Sequence, residues 1–166
     1  MISNILSSHK ITIIDAADDW PALTKWKNTD YLEEALGSKE VTVAITPNGL
    51  ADAIFDNHFV LPYEEQTTIS ALFDKLPTSE SSDEASAQWR DGEPAPDGPV
   101  YYVQSQNNNL HEDFMDLLKA DLPETVGFAS EALGRDPDAV NFWLGESRAV
   151  TSLHKDHYEN LYVVIA

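Results

Sequence analysis

Two side chains near the end of the sequence have the types and the spacing of metal ligands. His154 and Asp156 are separated by one residue. On a β-strand, residues two apart point to the same side, so the imidazole and the carboxylate can converge on one ion, whereas a helix separates them by about 200°. One His and one carboxylate are two of the three protein ligands in the 2-His-1-carboxylate iron site. On a strand the pair predicts a metal site, and the simpler interpretation is an ordinary surface pair, because His-x-Asp often occurs by chance.

A second His-x-Asp pair in the chain shows why the strand matters. His111 and Asp113 fall at the start of a predicted helix, where acidic side chains favour the positive end of the helix dipole. Helical spacing directs the two side chains apart, so they cannot chelate one ion. We therefore interpret this pair as structural.

Predicted strands are the elements that would position His154 and Asp156. Runs of β-branched and aromatic residues predict strands over residues 41–45, 100–104, 141–144 and from 149 onward. The last of these includes residues 161–165, a continuous apolar run typical of a strand that is buried on both faces. Because this strand would lie at the end of the chain, we expect an unpaired sheet edge there.

Predicted helices surround these strands. Capping residues and apolar spacing predict helices over residues 31–36, 69–76, 110–118 and 122–133, with Gly37 and Gly134 as stop signals. Residues 15–27 predict a loop that enters a further short helix. Residues 47–49 (PNG) predict a turn, because Asn and Gly tolerate positive φ.

Residues 77–99 differ in composition from the rest of the chain. They contain four Pro, two Gly and six acidic residues against one Arg. Such a segment cannot bury enough apolar surface to offset the entropy of ordering it. It predicts a mobile acidic loop inside one domain that spans residues 1–166.

Charge and composition exclude several classes of function. The chain has 10 basic and 29 acidic residues and a formal charge of −19, which repels nucleic acids and anionic lipids and favours basic protein partners. It has no Cys, which excludes disulfides and thiolate metal sites. No long apolar segment predicts a leader or a membrane span. We expect a soluble protein of the cytoplasm, with the nucleus as an additional compartment.

Two segments near the end of the sequence carry a resemblance to a known family. Residues 141–146 (NFWLGE) and 151–162 (TSLHKDHYENLY) resemble the Jumonji-C oxygenases, a cupin-like family, and within it the branch of protein lysyl hydroxylases. Earlier segments match in the same order, namely residues 20–23 (WPAL), 41–47 (VTVAITP), 51–53 (ADA) and 102–104 (YVQ). The resemblance implies an α+β, mainly β fold: a double-stranded β-helix, or jelly roll, with N-terminal helices, truncated within the β-helix.

The resemblance also implies cofactors, a reaction and a site. The cofactors are Fe(II) and 2-oxoglutarate, and the reaction is hydroxylation of a lysyl residue in a protein, in this branch a GTP-binding protein. His154 and Asp156 match the first two iron ligands, and no catalytic side chain beyond the metal ligands is implied. Thr151 and Asn160 match positions that contact 2-oxoglutarate or order the site around it. Tyr102 matches a tyrosine that reaches the 2-oxoglutarate carboxylate.

Simpler interpretations of the last three residues stay open. Thr151 can favour a strand, Asn160 can cap a turn, and Tyr102 can be a core side chain whose hydroxyl is satisfied locally. The family pattern also has a Lys for 2-oxoglutarate and a second ligand His on later strands, and the chain contains neither beyond residue 160. We therefore expect weak metal binding and an incomplete site in this chain alone.

Three functions of different classes remain open on the sequence. The chain can belong to a lysyl hydroxylase, of which it forms a fragment. It can be a catalytically inactive Jumonji-C-like interaction module that pairs through its unpaired strand edge, for example as a homodimer. It can also be a cupin-like protein that uses a metal structurally, or that binds a small acid without turnover.

Overall fold

The computed structural model describes residues 13–51, 53–55, 57–76, 98–151, 154 and 156–165. These residues form two compact units. The sheet unit holds the described residues of Leu36–Gln106 and Phe142–His154, and the helical unit holds those of Met1–Ala35, Asn107–Asn141 and Lys155–Ala166. The predicted acidic loop, except for its last two residues, lies outside the described residues. Within the described part of the chain, every helix is too short or too polar to traverse a lipid bilayer.

Short helices precede, interrupt and follow the strands of the chain. In chain order they are α1 (Ala22–Lys25), α2 (Thr29–Leu36), α3 (Ile69–Phe73), α4 (Asn109–Glu112), α5 (Met115–Asp121) and α6 (Gly127–Leu133). The predicted caps are confirmed at two of them. At the start of α2, the Asn28 side chain accepts a hydrogen bond of 2.9 Å from the amide of Asp30. At the start of α3, the Thr68 hydroxyl accepts a hydrogen bond of 3.3 Å from the amide of Ala71.

A four-stranded antiparallel sheet is the main element of the sheet unit. Its order is β5, β1, β6, β7, where the strands are β1 (Glu40–Thr46), β5 (Tyr63–Thr68), β6 (Val100–Gln104) and β7 (Trp143–Gly145). The sequence predicts β1 and β6 from their β-branched residues, and the structure confirms both. These two strands are the central pair of the sheet. Val43 and Val103, which face each other across the pair, are accordingly buried, and each is 1% exposed.

Two shorter strand pairs complete the sheet unit. β2 (Leu50–Ala51) pairs in parallel with β8 (Val150–Thr151), and β3 (Ala53–Phe55) pairs with β4 (His58–Val60) in an antiparallel hairpin. The predicted turn at residues 47–49 connects β1 to β2. Gly49 has a φ of +78° there, and its amide donates to the Thr46 hydroxyl at 2.7 Å.

The predicted helix over residues 110–118 is wrong in its extent. The structure divides it into α4 and α5, because Phe114 leaves the helical region with φ −120° and ψ 33°. Its apolar face is nevertheless confirmed, since Leu110, Phe114 and Leu117 are all buried. His111 contacts the Asn108 side chain at 2.8 Å through its Nδ1 atom, which agrees with the structural interpretation of the His111 and Asp113 pair.

The predicted helix over residues 122–133 begins later than expected. Leu122 is extended, with φ −124° and ψ 149°, and the next residue is Pro123. A residue before proline is pushed out of the helical region, so α5 ends at Asp121 and α6 begins only at Gly127. The end of α6 is as predicted, because Gly134 caps it in the left-handed region at φ 70°.

The helical unit contains a buried acid that holds three donors. Asp121 is 1% exposed, and its carboxylate accepts hydrogen bonds from Lys25 Nζ, Trp26 Nε1 and the Tyr31 hydroxyl over 2.6–2.9 Å. Burial by itself raises the pKa of Asp121, but these hydrogen bonds outweigh burial and hold the pKa below its usual 3.8. The hydrogen bond to Asp121 raises the pKa of Lys25, and burial raises the pKa of Tyr31. The acid therefore connects α1 and α2 to α5.

The predicted strand at the end of the chain is wrong. Residues 161–165 belong to no strand, and Leu161, Tyr162 and Val164 are 49%, 73% and 70% exposed. β8 ends at Thr151, opposite the last residue of the two-residue strand β2. A strand persists only where a neighbouring strand pairs with it, and none of the described strands is paired with residues 161–165. His154 and Asp156 consequently lie outside any strand.

Candidate functional site

One row of side chains crosses all four strands of the main sheet. The register pairs Glu64 of β5 with Ala44 of β1, Ala44 with Tyr102 of β6, and Tyr102 with Gly145 of β7. The residues on either side of Tyr102 are thus the two smallest types. A Cβ atom on Gly145 would lie 2.7 Å from the Tyr102 Cβ, so no larger residue fits there without movement.

A cleft of about 340 Å³ opens over this row, entirely within the sheet unit. It is lined by Ala44, Leu61, Pro62, Tyr63, Glu64, Tyr102 and Gln104. The volume lies within the range of roughly 300–1,000 Å³ that is usual for small-molecule sites. The cleft therefore contains Tyr102, one of the residues that the sequence predicts for the site.

Polar groups of the cleft come from strands β5 and β6. The Oε1 atom of Gln104 is buried and has no hydrogen-bond partner among the described residues. Tyr102 is 5% exposed and forms a small apolar cluster with Ala44, against which Ala149 packs. Glu64 is exposed at the cleft and makes no ion pair within the described part of the chain. The cleft thus offers a carboxylate and an amide oxygen beside the aromatic side chain of Tyr102.

A buried ion pair fastens the segment that leads from β7 into β8. Arg148 Nε donates to Glu146 Oε2 at 2.6 Å, and the two side chains are only 8% and 4% exposed. The other oxygen of Glu146 accepts the amide of Tyr101 at 3.2 Å. The amide of Val150 donates to the carbonyl of Gly49 at 2.8 Å, which begins the pairing with β2. These contacts hold Thr151 at a fixed place beside the main sheet.

The close approach of the same segment also requires glycine at position 49. A Cβ atom on Gly49 would lie 2.0 Å from the carbonyl oxygen of Arg148, and its φ is +78°. Only glycine satisfies both conditions without strain.

The structure places the predicted site residues in two groups. Tyr102, Thr151 and His154 belong to the sheet unit, where Thr151 and His154 are exposed. Asp156 and Asn160 belong to the helical unit, and Asn160 Nδ2 donates to Asp156 Oδ2 at 2.5 Å. The structure thus brings Asn160 to Asp156 and Tyr102 to the cleft. No group of three or more His, Asp or Glu side chains that could hold a metal ion occurs among the described residues.

The donor chemistry of these residues fits the group that the resemblance implies. Imidazole and carboxylate are the ligand types of non-haem Fe(II), and a carboxylate that accepts a hydrogen bond on one oxygen can ligate through the other. Hydroxyl and amide groups, which Thr151, Tyr102 and Asn160 provide, are suitable donors to the carboxylates of an oxo acid.

Sequence reasoning missed Gln104, Glu64 and the cleft that they share with Tyr102. A signal for Gln104 was present, because it stands two residues after Tyr102 on one strand and therefore on the same face. No comparable signal pointed to Glu64. Strand β5 (YEEQTT) has no apolar alternation, and only the register with β1 shows which of its acids faces the cleft.

Comparison with known proteins identifies similar chains. A family model for the cupin-like domain matches residues 3–166. The human protein named bifunctional peptidase and (3S)-lysyl hydroxylase JMJD7 is 48% identical over 154 residues, which cover 93% of this chain and 43% of that protein. JmjC domain-containing protein E of Dictyostelium discoideum is 36% identical over 162 residues, 96% of this chain and 44% of that protein. Lysine-specific demethylase JMJ32 of Arabidopsis thaliana is 33% identical over 166 residues, 99% of this chain and 44% of that protein.

The chain thus spans less than half the length of the curated relatives that it matches. Its mostly antiparallel sheet with short helices agrees with the predicted α+β cupin-like fold.

Proposed function

Because the chain belongs to the cupin-like domain family, in its Jumonji-C group, we propose that it serves in a protein lysyl hydroxylase that depends on Fe(II) and 2-oxoglutarate. One observation carries the proposal. The chain is 48% identical, over 93% of its length, to a relative whose name states (3S)-lysyl hydroxylase activity. The proposed substrate is a lysine of a protein, and the proposed partner class, GTP-binding proteins, comes from the residue resemblance.

Each predicted site residue has a proposed role. His154 and Asp156 hold the iron, and Asn160 fixes the Asp156 carboxylate through the hydrogen bond of 2.5 Å. Thr151 and Tyr102 orient 2-oxoglutarate through their hydroxyl groups. When bound, iron and 2-oxoglutarate supply the activation of O₂ that an unactivated C–H bond requires. The protein binds and orients the reactants.

A catalytically inactive interaction module is the second candidate function. The observation that favours it is a run of exposed apolar side chains in the helical unit, comprising Tyr158, Leu161, Tyr162, Val163 and Val164. Contiguous exposed apolar surface often marks a protein interface. This function requires no metal, so metal binding and turnover distinguish the two candidates.

Metal titration and turnover of 2-oxoglutarate test the proposal. The measurements use Mn(II) in a calorimeter and succinate formation with Fe(II), on the 166-residue chain and on any longer form that its gene encodes. We expect weak Mn(II) binding by the 166-residue chain that Asp156→Ala abolishes. The matched control is Asp113→Ala, which changes the other His-x-Asp pair and should leave binding unchanged. Binding that survives Asp156→Ala would show that the site is elsewhere, and no turnover in any form would favour the interaction module.

A further inference from the structure

The charge of the cleft in the sheet unit favours a cationic ligand. Its lining includes the carboxylate of Glu64 and no Lys, Arg or His among the described residues. The whole chain carries a formal charge of −19, which strengthens the attraction for a cation that approaches the cleft.

The walls of the cleft favour a cation with an apolar stem. Leu61 and Pro62 are apolar, and the aromatic side chain of Tyr102, on the same face of the sheet as Glu64, can contact both an aliphatic chain and an ammonium group. Leu61 is 72% exposed, so this apolar surface is accessible from solvent.

Gln104 supplies the second polar contact. Its Oε1 atom is buried and has no hydrogen-bond partner within the described part of the chain. A buried acceptor without a partner is unfavourable, so a ligand that donates a hydrogen bond to this atom removes that penalty. An ammonium group has three N–H donors, enough for the amide oxygen and a carboxylate together.

We infer that this cleft binds the side chain of the substrate lysine, with the stem along Leu61 and Pro62 and the ammonium group recognised by Glu64 and Gln104. The identity of the ligand as a substrate lysine rests on the proposed function. Glu64 and Tyr102 stand on strands two spacings apart, a separation of about 10 Å. Because Gln104 stands two residues after Tyr102 on β6, the lysine ammonium would lie between Glu64 and the oxo acid assigned to Tyr102.

A titration followed by NMR tests this inference without iron. The probe is Nα-acetyl-lysine methylamide, and the control ligand is Nα-acetyl-norleucine methylamide, which has an apolar stem and no ammonium group. We expect the lysine probe to shift signals of the cleft residues and the norleucine probe to bind more weakly. Equal binding of the two probes would overturn the inference, and so would no binding of the lysine probe. Displacement of the lysine probe from Glu64 by 2-oxoglutarate would overturn it as well.

Two neighbouring acids provide a matched pair of variants. Glu64→Gln should weaken the lysine probe by about two- to fivefold, the range for a solvent-exposed ion pair. Glu65→Gln removes the same charge one residue later, where the side chain pairs with Lys75 at 3.4 Å and does not line the cleft, and should leave the affinity unchanged. Well-dispersed spectra of both variants establish that they fold. Equal affinities of the two variants would overturn the role of Glu64.

The inference and the proposed function fail in different ways. Lysine binding that depends on Glu64, in a protein that hydroxylates no lysine, would contradict only the proposed function. Lysine hydroxylation with the same KM in the wild type and in Glu64→Gln would contradict only the inference.

Discussion

Gly145 determines how closely β7 can approach Tyr102 on β6. A Cβ atom at this position would lie 2.7 Å from the Tyr102 Cβ, and the cross-strand partner on the other side is the small residue Ala44. The two small residues leave room for the Tyr102 side chain within the sheet. The position of Tyr102, and with it one wall of the cleft, thus depends on a residue that makes no polar contact through a side chain.

Substitution of this glycine should be costly, and a second glycine provides the control. Gly145→Ala should lower the free energy of unfolding by about 1–3 kcal/mol, because the added methyl group overpacks a close contact. Gly127→Ala adds a methyl group that meets nothing within 4 Å, at the first residue of α6, and should raise stability by about 0.4–1 kcal/mol. Urea unfolding of the two variants checks both values. Equal effects would show that the contact with Tyr102 is unimportant.

Asp121 should make the stability of the protein depend on acid pH. Its pKa is lower in the folded protein than its usual 3.8, so its contribution is present above that pH and is lost as the pH falls through the folded pKa. Asp121→Asn should lower stability at neutral pH by about 1–3 kcal/mol and should remove this part of the acid dependence. Urea unfolding at a series of pH values measures the stability of both proteins and its acid dependence. The exposed Asp138→Asn should behave like the wild type, and an unchanged acid profile in Asp121→Asn would contradict the role of the cluster.

At the scale of elements, the Glu146 and Arg148 pair fastens the segment that carries Thr151. Both side chains are nearly buried, and Glu146 also accepts the amide of Tyr101 at the start of β6. A buried ion pair is weak evidence for stability in itself, but removal of one partner leaves an uncompensated charge. The pair therefore specifies the path of the chain from β7 to β8.

Removal of Arg148 should have a large effect, and Arg135 provides the matched control. Arg148→Ala should lower the free energy of unfolding by about 3–5 kcal/mol, because Glu146 loses its buried partner. Arg135→Ala breaks the exposed pair with Asp138, both partners of which are more than 60% exposed, and should change it by less than about 1 kcal/mol. Hydrogen exchange should also show faster exchange of the Val150 amide in Arg148→Ala. An unchanged exchange rate of the Val150 amide would contradict the claim that this ion pair holds β8 in place.

Elements whose signals are local could be predicted from the sequence. β1 and β6 are rich in β-branched and aromatic residues, and the start of α3 is defined by the Thr68 cap. β5 could not be predicted, because its residues are mostly polar and half of them are exposed at the edge of the sheet. Tyr102 was predicted as a site residue through the resemblance, whereas Glu64 faces the cleft only because of a pairing that no local pattern encodes. The pairing of β2 with β8 joins residues about 100 positions apart and is likewise not local.

At the scale of the whole molecule, the end of the described chain presents apolar surface. Tyr158, Tyr162 and Val164 are 75%, 73% and 70% exposed. Exposed apolar side chains that follow one another in the chain favour association with another surface. This is the surface that a homodimer or a protein partner could use.

Self-association of the 166-residue chain should therefore depend on this surface. Val164→Lys should lower the mean molar mass in sedimentation equilibrium at high concentration, because a charge in the patch disfavours its burial. Leu133→Lys introduces the same charge at a position that is 47% exposed on α6, and should leave the molar mass unchanged. A wild-type chain that stays monomeric at all concentrations would contradict the prediction.

Mass spectrometry of a lysine-containing protein substrate tests the proposed hydroxylase function most directly. The reaction contains Fe(II), 2-oxoglutarate and the 166-residue chain or a longer form that its gene encodes. We predict a lysine whose mass has increased by one oxygen atom, and loss of this product in His154→Ala but not in His58→Ala, which changes an exposed histidine on β4. A product that persists in His154→Ala would contradict the account, and so would a substrate lysine that loses methyl groups and gains no oxygen.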